Sequence, residues 1–254
     1  MTVQIVTGFH DGTGNVIDLA DTDSANIKTD AIVVSSTSTA VYGTGSAQIV
    51  NLAGSLVAAF TGVSLGDDGS LDSGDKVVVG QTGSIHAVSY GITIAGHDST
   101  IINKGLVESN YVTINTSGNA SSGVSTFTNS GEIYSFGGFG ISRTGSQEFH
   151  FTNTGLVDAA TAYSSGDTDA RQVIDNKGTI IGNITLGAGS DAYHGAQGIL
   201  REGTLYASMG QDEIVGGASR EKFDGGAGKD DLTGGGADTF IFAAASDTKA
   251  AFSK

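Results

Sequence analysis

Residues 225–242 read GGAGKDDLTGGGADTFIF, and this stretch decides the fold of the C-terminal part of the chain. Its first nine residues match the repeat G-G-x-G-x-D-x-U-x, in which U is a large apolar residue, at every fixed position. Because glycine adopts positive φ without a Cβ clash, the carbonyls around Gly226 and Gly228 can turn inward beside the Asp230 carboxylate. Such oxygen donors suit Ca²⁺. The apolar Leu232 that follows predicts a short strand with its side chain in the core.

Weaker copies of this repeat flank the complete one. Their glycine, aspartate and apolar positions are Gly189, Asp191 and Tyr193, then Gly210, Asp212 and Ile214, and then Gly236, Asp238 and Phe240. Asp212 precedes Asp230 by two nonapeptides, which make one coil of a roll, so we expect both on one edge. On the opposite edge Glu221 replaces an aspartate, and we therefore predict only one or two calcium ions. The predicted ligands are Gly210, Asp212, Gly226, Gly228, Asp230, Gly236 and Asp238.

The nonapeptides resemble the calcium-binding β-roll of the repeat-in-toxin family, in which a run like ADTFIF commonly closes the roll. The resemblance implies a secreted protein, found outside the cell or on its surface. It also implies export by type I machinery, which reads an uncleaved C-terminal signal. The N-terminal stretch MTVQIVTGFHDGTGN has neither the basic nor the apolar region of a Sec signal peptide, in agreement with that expectation.

A second repeat lies upstream of the nonapeptides. Its copies are QTGSI at Gln81, NKGLV at Asn103, NSGEI at Asn129, NTGLV at Asn153 and NKGTI at Asn176, with NLAGSLV at Asn51 as an earlier copy. From Gln81 onward the copies recur at steps of about 24 residues, which is a solenoid period. We therefore expect a parallel β-helix in which each copy is one coil of about three short strands.

Each N-x-G unit has a predicted role in the coil. The asparagine lies at a tight bend, where its amide can bond the backbone, and stacked amides can form a ladder. The apolar residues after the bend should stack inside, and these are Leu106, Ile133, Leu156 and Ile180. Over residues 80–195 these units resemble the passenger β-helices of autotransporters and related adhesins.

The two repeats together predict an all-β chain. We expect a right-handed parallel β-helix with irregular N-terminal coils over residues 1–186. A calcium-binding parallel β-roll with a C-terminal cap follows over residues 187–254. Because the last N-x-G coil leads directly into the first aspartate turn, the two parts should form one continuous solenoid, whose coil shortens from about 24 to about 18 residues.

The composition agrees with this fold and excludes several functions. The chain has 40 glycines and no proline, which favours strands and tight turns, and it has no cysteine for disulfides or thiolate metal sites. A net charge of −15 argues against nucleic acid and against an anionic membrane surface as partners. No apolar run is long enough to predict a membrane-spanning helix, so we expect no membrane insertion.

One acidic loop allows two interpretations. GDDGSLDSGD contains Asp67, Asp68, Asp72 and Asp75, which could form a second calcium site or an acidic contact surface. Alternatively, the loop is a solvated insertion between coils. The spacing fits neither an EF-hand nor the nonapeptide, which favours the insertion.

Enzymatic alternatives also have candidate residues. Polysaccharide lyases and epimerases on β-helices use carboxylates, a Tyr or His, and a basic group, and the candidates on neighbouring coils are Tyr134, Arg143, Glu148, His150 and Asp158. Only six basic residues precede the roll, which is sparse for binding a polyuronate. His97, Asp98 and Ser99 are adjacent and cannot form a hydrolase relay on one strand face. No H-E-x-x-H metalloprotease motif is present.

Assembly is the function that the sequence favours. We expect a secreted, calcium-stabilised structural or adhesive protein of the bacterial surface or extracellular matrix, which assembles as a homo-oligomer or filament. A cell-surface polysaccharide is a further candidate partner. The alternative is a polysaccharide-modifying enzyme on the same scaffold. Five aromatic residues alternate with small or polar neighbours, and most of them are expected in the core, with an exposed strip for sugars or a partner as the alternative: Tyr134, Phe136, Phe139, Phe149 and Phe151.

Overall fold

The computed structural model describes residues 1–67, 72–119, 122–166 and 169–242, together with the backbone of residues 251–253. These residues form 33 β-strands and contain no helix, so no membrane-spanning helix is found among them. The strands before residue 100 are β1 Val3–Val6, β2 Phe9–Gly12, β3 Ile17–Leu19, β4 Ser24–Ile27, β5 Ile32–Ser35, β6 Val41–Gly43, β7 Ile49–Leu52, β8 Ser55–Ala58, β9 Thr61–Leu65, β10 Lys76–Val79, β11 Ser84–Ala87 and β12 Tyr90–Ala95. The next strands are β13 Thr100–Asn103, β14 Leu106–Ser109, β15 Val112–Ser117, β16 Val124–Asn129, β17 Glu132–Ser135, β18 Phe139–Thr144, β19 Glu148–Asn153, β20 Leu156–Ser164, β21 Gln172–Asn176 and β22 Thr179–Thr185. The last are β23 Ala188–Gly189, β24 Ala192–His194, β25 Ile199–Arg201, β26 Leu205–Tyr206, β27 Met209–Gly210, β28 Glu213–Val215, β29 Lys222–Asp224, β30 Ala227–Gly228, β31 Asp231–Thr233, β32 Thr239–Ile241 and β33 Ala251–Ser253.

The strands stack in columns, and every pairing between the described strands is parallel. The first column is a 12-stranded sheet in the order β1-β4-β7-β10-β13-β16-β19-β21-β24-β28-β31-β33. The second column begins β2-β5-β8-β11 and the third begins β3-β6-β9-β12, and both join at the long strands β20 and β22. The turns near the C-terminal end add a small sheet of β23, β27 and β30. The predicted all-β parallel solenoid is therefore confirmed.

The strand register of the second column repeats the spacing of the N-x-G units. Successive partners in this column are Ser84, Leu106, Glu132, Leu156 and Thr179. Each of these partners occupies the same position in its own unit, namely the residue directly after the glycine. Each N-x-G unit is thus one coil, as predicted.

The coil also shortens towards the C-terminal end. Val124 pairs with Glu148 across a coil of about 24 residues, whereas Glu213 pairs with Asp231 across a coil of about 18 residues. The first sheet continues across this change, because β21 pairs with β24. The chain therefore forms one continuous stack, as expected, and the aspartates of the C-terminal turns extend an edge that the upstream coils begin.

For two of the four residues predicted in the core, the buried position is the next residue along the chain. Ile133 and Ile180 are buried as expected, but Leu106 and Leu156 are only half-buried. The residues that pair with Ile133 are Val107 and Val157, and both are fully buried. Because side chains alternate along a strand, the first residue after the N-x-G bend faces outward and the second faces the core.

Four asparagines form the predicted amide ladder. Nδ2 of Asn103 donates to Oδ1 of Asn129 at 2.8 Å, and the same bond joins Asn129 to Asn153 and Asn153 to Asn176 at 2.9 Å. All four residues are completely buried. Nδ2 of Asn176 donates to the Tyr193 hydroxyl at 3.3 Å. This asparagine ladder ties four successive coils together through side chains.

The two earlier copies of the motif do not belong to the ladder. Asn51 pairs with Val78 and has an exposed side chain, whereas Asn103 pairs with Val79. Gln81 is exposed in the turn between β10 and β11, which is two residues longer than the turn between β13 and β14. The longer turn therefore moves Gln81 out of the ladder position. Asn51 has a turn of the usual length but lies one residue before Leu52, which occupies the ladder position, so the prediction for Asn51 is wrong by one residue.

The aromatic residues divide between the core and the surface. Phe127 stacks on Phe151 with ring centres 5.0 Å apart, and Phe151 stacks on Tyr163 at 6.4 Å. Phe149 is also buried, so core stacking is confirmed for Phe149 and Phe151, whereas Tyr134 and Phe139 are only half-buried. Phe136, in contrast, is 68% exposed.

Candidate metal centre

Three aspartates stack on one edge of the solenoid, and we call Asp191, Asp212 and Asp230 the aspartate stack. The amide of Asp191 donates to Oδ1 of Asp212 at 2.8 Å, and the amide of Asp212 donates to Oδ1 of Asp230 at 3.1 Å. Above them the amide of Gln172 donates to Oδ1 of Asp191 at 2.7 Å. All three aspartates are 5% exposed or less. The structure thus brings Asp212 and Asp230 together as predicted, and it adds Asp191, which was not among the predicted ligands.

Glycine turns carry backbone carbonyls to the same edge. Gly210 and Gly228 each lie two residues before an aspartate of the stack, both with φ of +156°, and Gly226 has φ of +75°. A Cβ on Gly228 would collide with the carbonyl oxygen of Gly210. Only glycine therefore allows the coils to approach this closely, and the predicted positive φ at these positions is confirmed.

Two carboxylate oxygens in the aspartate stack have no hydrogen-bond partner. They are Oδ2 of Asp191 and Oδ2 of Asp212, and neither finds a donor among the described residues. Burial, together with the charge of the next aspartate in the stack, raises the pKa of Asp191 to about 7 and that of Asp212 to about 6. A buried anion without a partner is unfavourable, and a cation between the coils would remove that penalty.

The opposite edge holds a different arrangement. Here the amide of Glu221 donates to Oδ1 of Asp238, and the amide of Gly236 donates to Oδ2 of Asp238, both at 3.0 Å. Oε2 of the buried Glu221 accepts the amide of Gly217 at 2.7 Å. Both oxygens of Asp238 thus already accept amide hydrogens. Oε1 of Glu221 is the open buried carboxylate oxygen on this edge among the described residues, against two in the aspartate stack.

The donor set fits a hard cation. Among the described residues, no three His, Asp or Glu side chains lie close enough to form a side-chain metal cluster. A calcium ion takes about six to eight oxygens, and backbone carbonyls are common among them. The aspartate stack would contribute two carboxylates per pair of coils, and the glycine turns would contribute carbonyls. The residues present therefore fit Ca²⁺ and offer no thiolate or imidazole for a softer metal.

The acidic loop is solvated at Asp67, as its sequence favoured, but two of its aspartates are buried, and residues 68–71 lie outside the described part of the chain. Asp72 is 5% exposed and Asp75 is completely buried, whereas Asp67 is exposed and Asp68 lies outside the described residues. Burial raises the pKa of Asp75 to about 7, with the nearby charges of Asp72 and Asp21 adding to the effect. The loop therefore places two carboxylates inside the coil stack.

The candidate residues for a lyase or epimerase do not converge. Tyr134 and Asp158 are register partners on the outer face of the second column. Glu148 and His150 contact each other at 2.8 Å on the first column. Arg143 is buried inside the solenoid, at 1% exposure. These five groups lie on different sides of the coil, so no shared site for a sugar forms between them.

The His97, Asp98 and Ser99 sequence forms a turn without a relay, as expected. Nδ1 of His97 contacts Oδ2 of Asp98 at 2.9 Å, and Asp98 has φ of +54°. The Ser99 hydroxyl contacts the backbone carbonyl of His97 at 3.4 Å instead of the imidazole ring. The serine is therefore not activated by the histidine.

The buried Arg143 is incompletely paired. Its Nη2 donates to the Gln147 carbonyl at 2.8 Å, but Nε and Nη1 have no acceptor among the described residues. Burial lowers the pKa of this guanidinium. Cζ of Arg143 lies 5.7 Å from the ring centre of Phe149. A buried cation with unsatisfied donors reduces stability relative to an apolar side chain of similar size.

Arg143→Met is therefore expected to raise the free energy of unfolding by about 1–2 kcal/mol, because methionine fills the space beside Phe149 without an unpaired charge. The matched control is Arg171→Met. Arg171 is half exposed and pairs with Glu148 at 3.2 Å, so this change should alter stability by less than about 1 kcal/mol. Urea titration compares the two, and a loss of stability confined to Arg143→Met would contradict the expectation.

Comparison of the chain with known protein families, with curated proteins and with solved structures finds no match. The stacked parallel sheets are nevertheless those of β-helix and β-roll proteins. The chain is thus assigned by its own strand pairing, as an all-β parallel solenoid protein with an edge of buried aspartates.

Proposed function

We propose that this chain is a secreted, calcium-stabilised solenoid of the repeat-in-toxin type that acts as a structural or adhesive component of a bacterial surface or extracellular matrix. The observation that carries the proposal is the aspartate stack. Its three buried carboxylates leave two oxygens without hydrogen-bond donors among the described residues, beside turns that only glycine can form. A divalent cation bound there would neutralise these carboxylates, which would explain why the fold retains an edge of buried aspartates.

The mechanism is folding coupled to cation binding. Without calcium, the carboxylates of Asp191, Asp212 and Asp230 repel one another, and the glycine-rich backbone loses much entropy on coiling. Bound calcium supplies positive charge between adjacent coils. Since the aspartates face one another only in the stacked state, the folded chain gains about 2.7 kcal/mol at a calcium concentration 100 times the Kd. The type I export route fits this scheme, because the chain would fold only after reaching calcium outside the cell.

An exposed apolar surface supports the adhesive part of the proposal. It lies at and beside the bend between the second and third columns and consists of Val57, Phe60, Val88, Tyr111 and Phe136, each at least 39% exposed. The ring centres of Phe60 and Tyr111 each lie within 6 Å of the intervening Tyr90 ring. Contiguous exposed apolar groups on a soluble protein commonly mark a contact with another molecule. A second copy of the chain or a cell-surface polysaccharide is the partner that we propose for it.

Calcium titration followed by circular dichroism tests the proposal. In excess chelator we expect partial loss of β-structure and a lower melting temperature, with recovery in millimolar calcium. Asp212→Asn should abolish most of that recovery, because it removes a charge from the middle of the aspartate stack. The control is Asp231→Asn, which changes an exposed neighbour of the stack and should respond like the parent chain.

Electron microscopy and sedimentation with and without chelator test assembly. We expect oligomers or filaments only when calcium is present. Monomers that ignore calcium and chelator alike would contradict the assembly proposal, and identical circular dichroism in both conditions would contradict calcium stabilisation.

A further inference from the structure

The coil that contains Asp75 repeats the arrangement found at the top of the aspartate stack. The amide of Gln48 donates to Oδ1 of Asp75 at 2.8 Å, as the amide of Gln172 donates to Oδ1 of Asp191 at 2.7 Å. In both places the aspartate directly precedes a strand of the first column, β10 in one case and β24 in the other. Asp75 thus occupies, in the N-terminal half, the position that Asp191 occupies beside the roll.

The second oxygen of Asp75 points to a missing ligand. Asp75 is 0% exposed, and its Oδ2 has no hydrogen-bond partner among the described residues. Oδ1 of Asp72, which is 5% exposed, also lacks a partner there. None of the ion pairs in the described part of the chain involves either carboxylate. Two buried anions with open oxygens thus remain uncompensated by the described protein groups.

Other oxygens lie beside Asp72, whose charge is close enough to Asp75 to raise the pKa of that carboxyl group. Gly66 has φ of +78°, and a Cβ there would collide with the Ala95 carbonyl and come within 2.6 Å of Oδ2 of Asp72. The Ala95 carbonyl and the Asp72 carboxylate therefore converge at Gly66. The Ser46 hydroxyl lies at the same corner, where it accepts the amide of Ser73 at 3.2 Å. All these donors are oxygens, which is the ligand chemistry of Ca²⁺ and Mg²⁺.

We propose that Asp72 and Asp75 form a second divalent-cation site, separate from the C-terminal aspartate stack. The cation would be bound by both carboxylates and completed by neighbouring hydroxyl or carbonyl oxygens and water. This site fixes one of the longer coils of the described solenoid, in which Ile49 pairs with Lys76. The inference does not depend on the function proposed above, because it concerns different residues in a different coil.

Equilibrium dialysis of the full chain against calcium, and separately against magnesium, tests the site. Asp75→Asn and Asp72→Asn should each lose one equivalent of bound cation, or weaken it at least tenfold. The control is Asp30→Asn, an exposed aspartate of the same half, which should lose none. Asp212→Asn should lose a different equivalent, so the double variant with Asp75→Asn loses both. Failure of the roll site would leave the Asp75 equivalent in place, and the two proposals are thus distinguished.

Melting temperature gives a second measurement on the same variants. Asparagine removes the buried charge, so Asp75→Asn should melt as high as the parent chain or higher in chelator. It should also lose part of the increase that calcium gives the parent. Circular dichroism checks that the variant is folded. The proposal is overturned if Asp75→Asn binds as many cations as the parent, or if a folded Asp75→Asn chain keeps the whole calcium-dependent increase, which would make Asp75 a protonated acid without a metal.

Discussion

Asn129→Ala is expected to lower the free energy of unfolding by about 2–4 kcal/mol, since three hydrogen bonds between buried groups are lost at once. Nδ2 of Asn129 donates to Oδ1 of Asn153 at 2.9 Å and to the Leu156 carbonyl at 3.1 Å. Its Oδ1 accepts Nδ2 of Asn103 at 2.8 Å. Alanine removes all three bonds, although Nδ2 of Asn103 keeps the Glu132 carbonyl at 3.1 Å and Oδ1 of Asn153 keeps the Gly155 amide at 3.3 Å. Each lost bond contributes about 0.5–1.5 kcal/mol.

Urea denaturation measures the total effect, and hydrogen exchange shows where it acts. Because a solenoid is stabilised by contacts between neighbouring coils, we expect amides of β13, β16 and β19 to lose most protection. The matched control is Asn51→Ala, in which an exposed asparagine loses one bond to Asn26. That change should alter stability by no more than about 0.5 kcal/mol. Equal losses in the two variants would show that the ladder adds no stability beyond an ordinary surface amide.

The contrast between Asn129 and Asn51 also explains how far the sequence could predict the fold. The intervals between N-x-G units predicted the register of the second column, because every coil must return to the same bend. Those intervals do not show which side chains of a coil face inward. Leu106 and Asn51 were misplaced by one residue, since side chains alternate along a strand and a shift of one residue moves a side chain to the other face.

The stacking of the aspartates was predictable only where their spacing is regular. Asp212 and Asp230 lie one coil of two nonapeptides apart, so their stacking followed from the repeat. The step from Asp191 to Asp212 is longer than that regular coil, and the coil that leads to Asp75 is longer still. Asp75 and Asp191 occupy equivalent positions in the stacked coils, but no constant sequence interval relates them. The local signal for Asp191 was the weaker copy of the repeat formed by Gly189, Asp191 and Tyr193, whereas Asp75 has only a glycine directly before it, as in S-G-D.

In the presence of a chelator, the chain is expected to be more stable at pH 5 than at pH 8. Burial raises the pKa of Asp75 and Asp191 to about 7 and that of Asp212 to about 6, from a normal value of 3.8. A carboxyl group with a raised pKa binds its proton more tightly in the folded chain than in the unfolded chain. Stability is therefore highest below about pH 4 for these groups and falls as the pH rises through their folded pKa values. For Asp212 alone the whole loss is on the order of 3 kcal/mol, and roughly half of it falls between pH 5 and pH 8.

Calcium should counteract this loss, because carboxylates must be deprotonated to bind the cation. Thermal melting from pH 5 to pH 8 is the measurement, in chelator and in millimolar calcium. We expect the two melting temperatures to differ little at pH 5 and to separate increasingly towards pH 8. Asp212→Asn should flatten the chelator curve and shrink the separation, whereas the exposed Asp231→Asn should change neither. A calcium effect that is largest at pH 5 would mean that the cation binds elsewhere, because protonated carboxyl groups in the aspartate stack could not hold it.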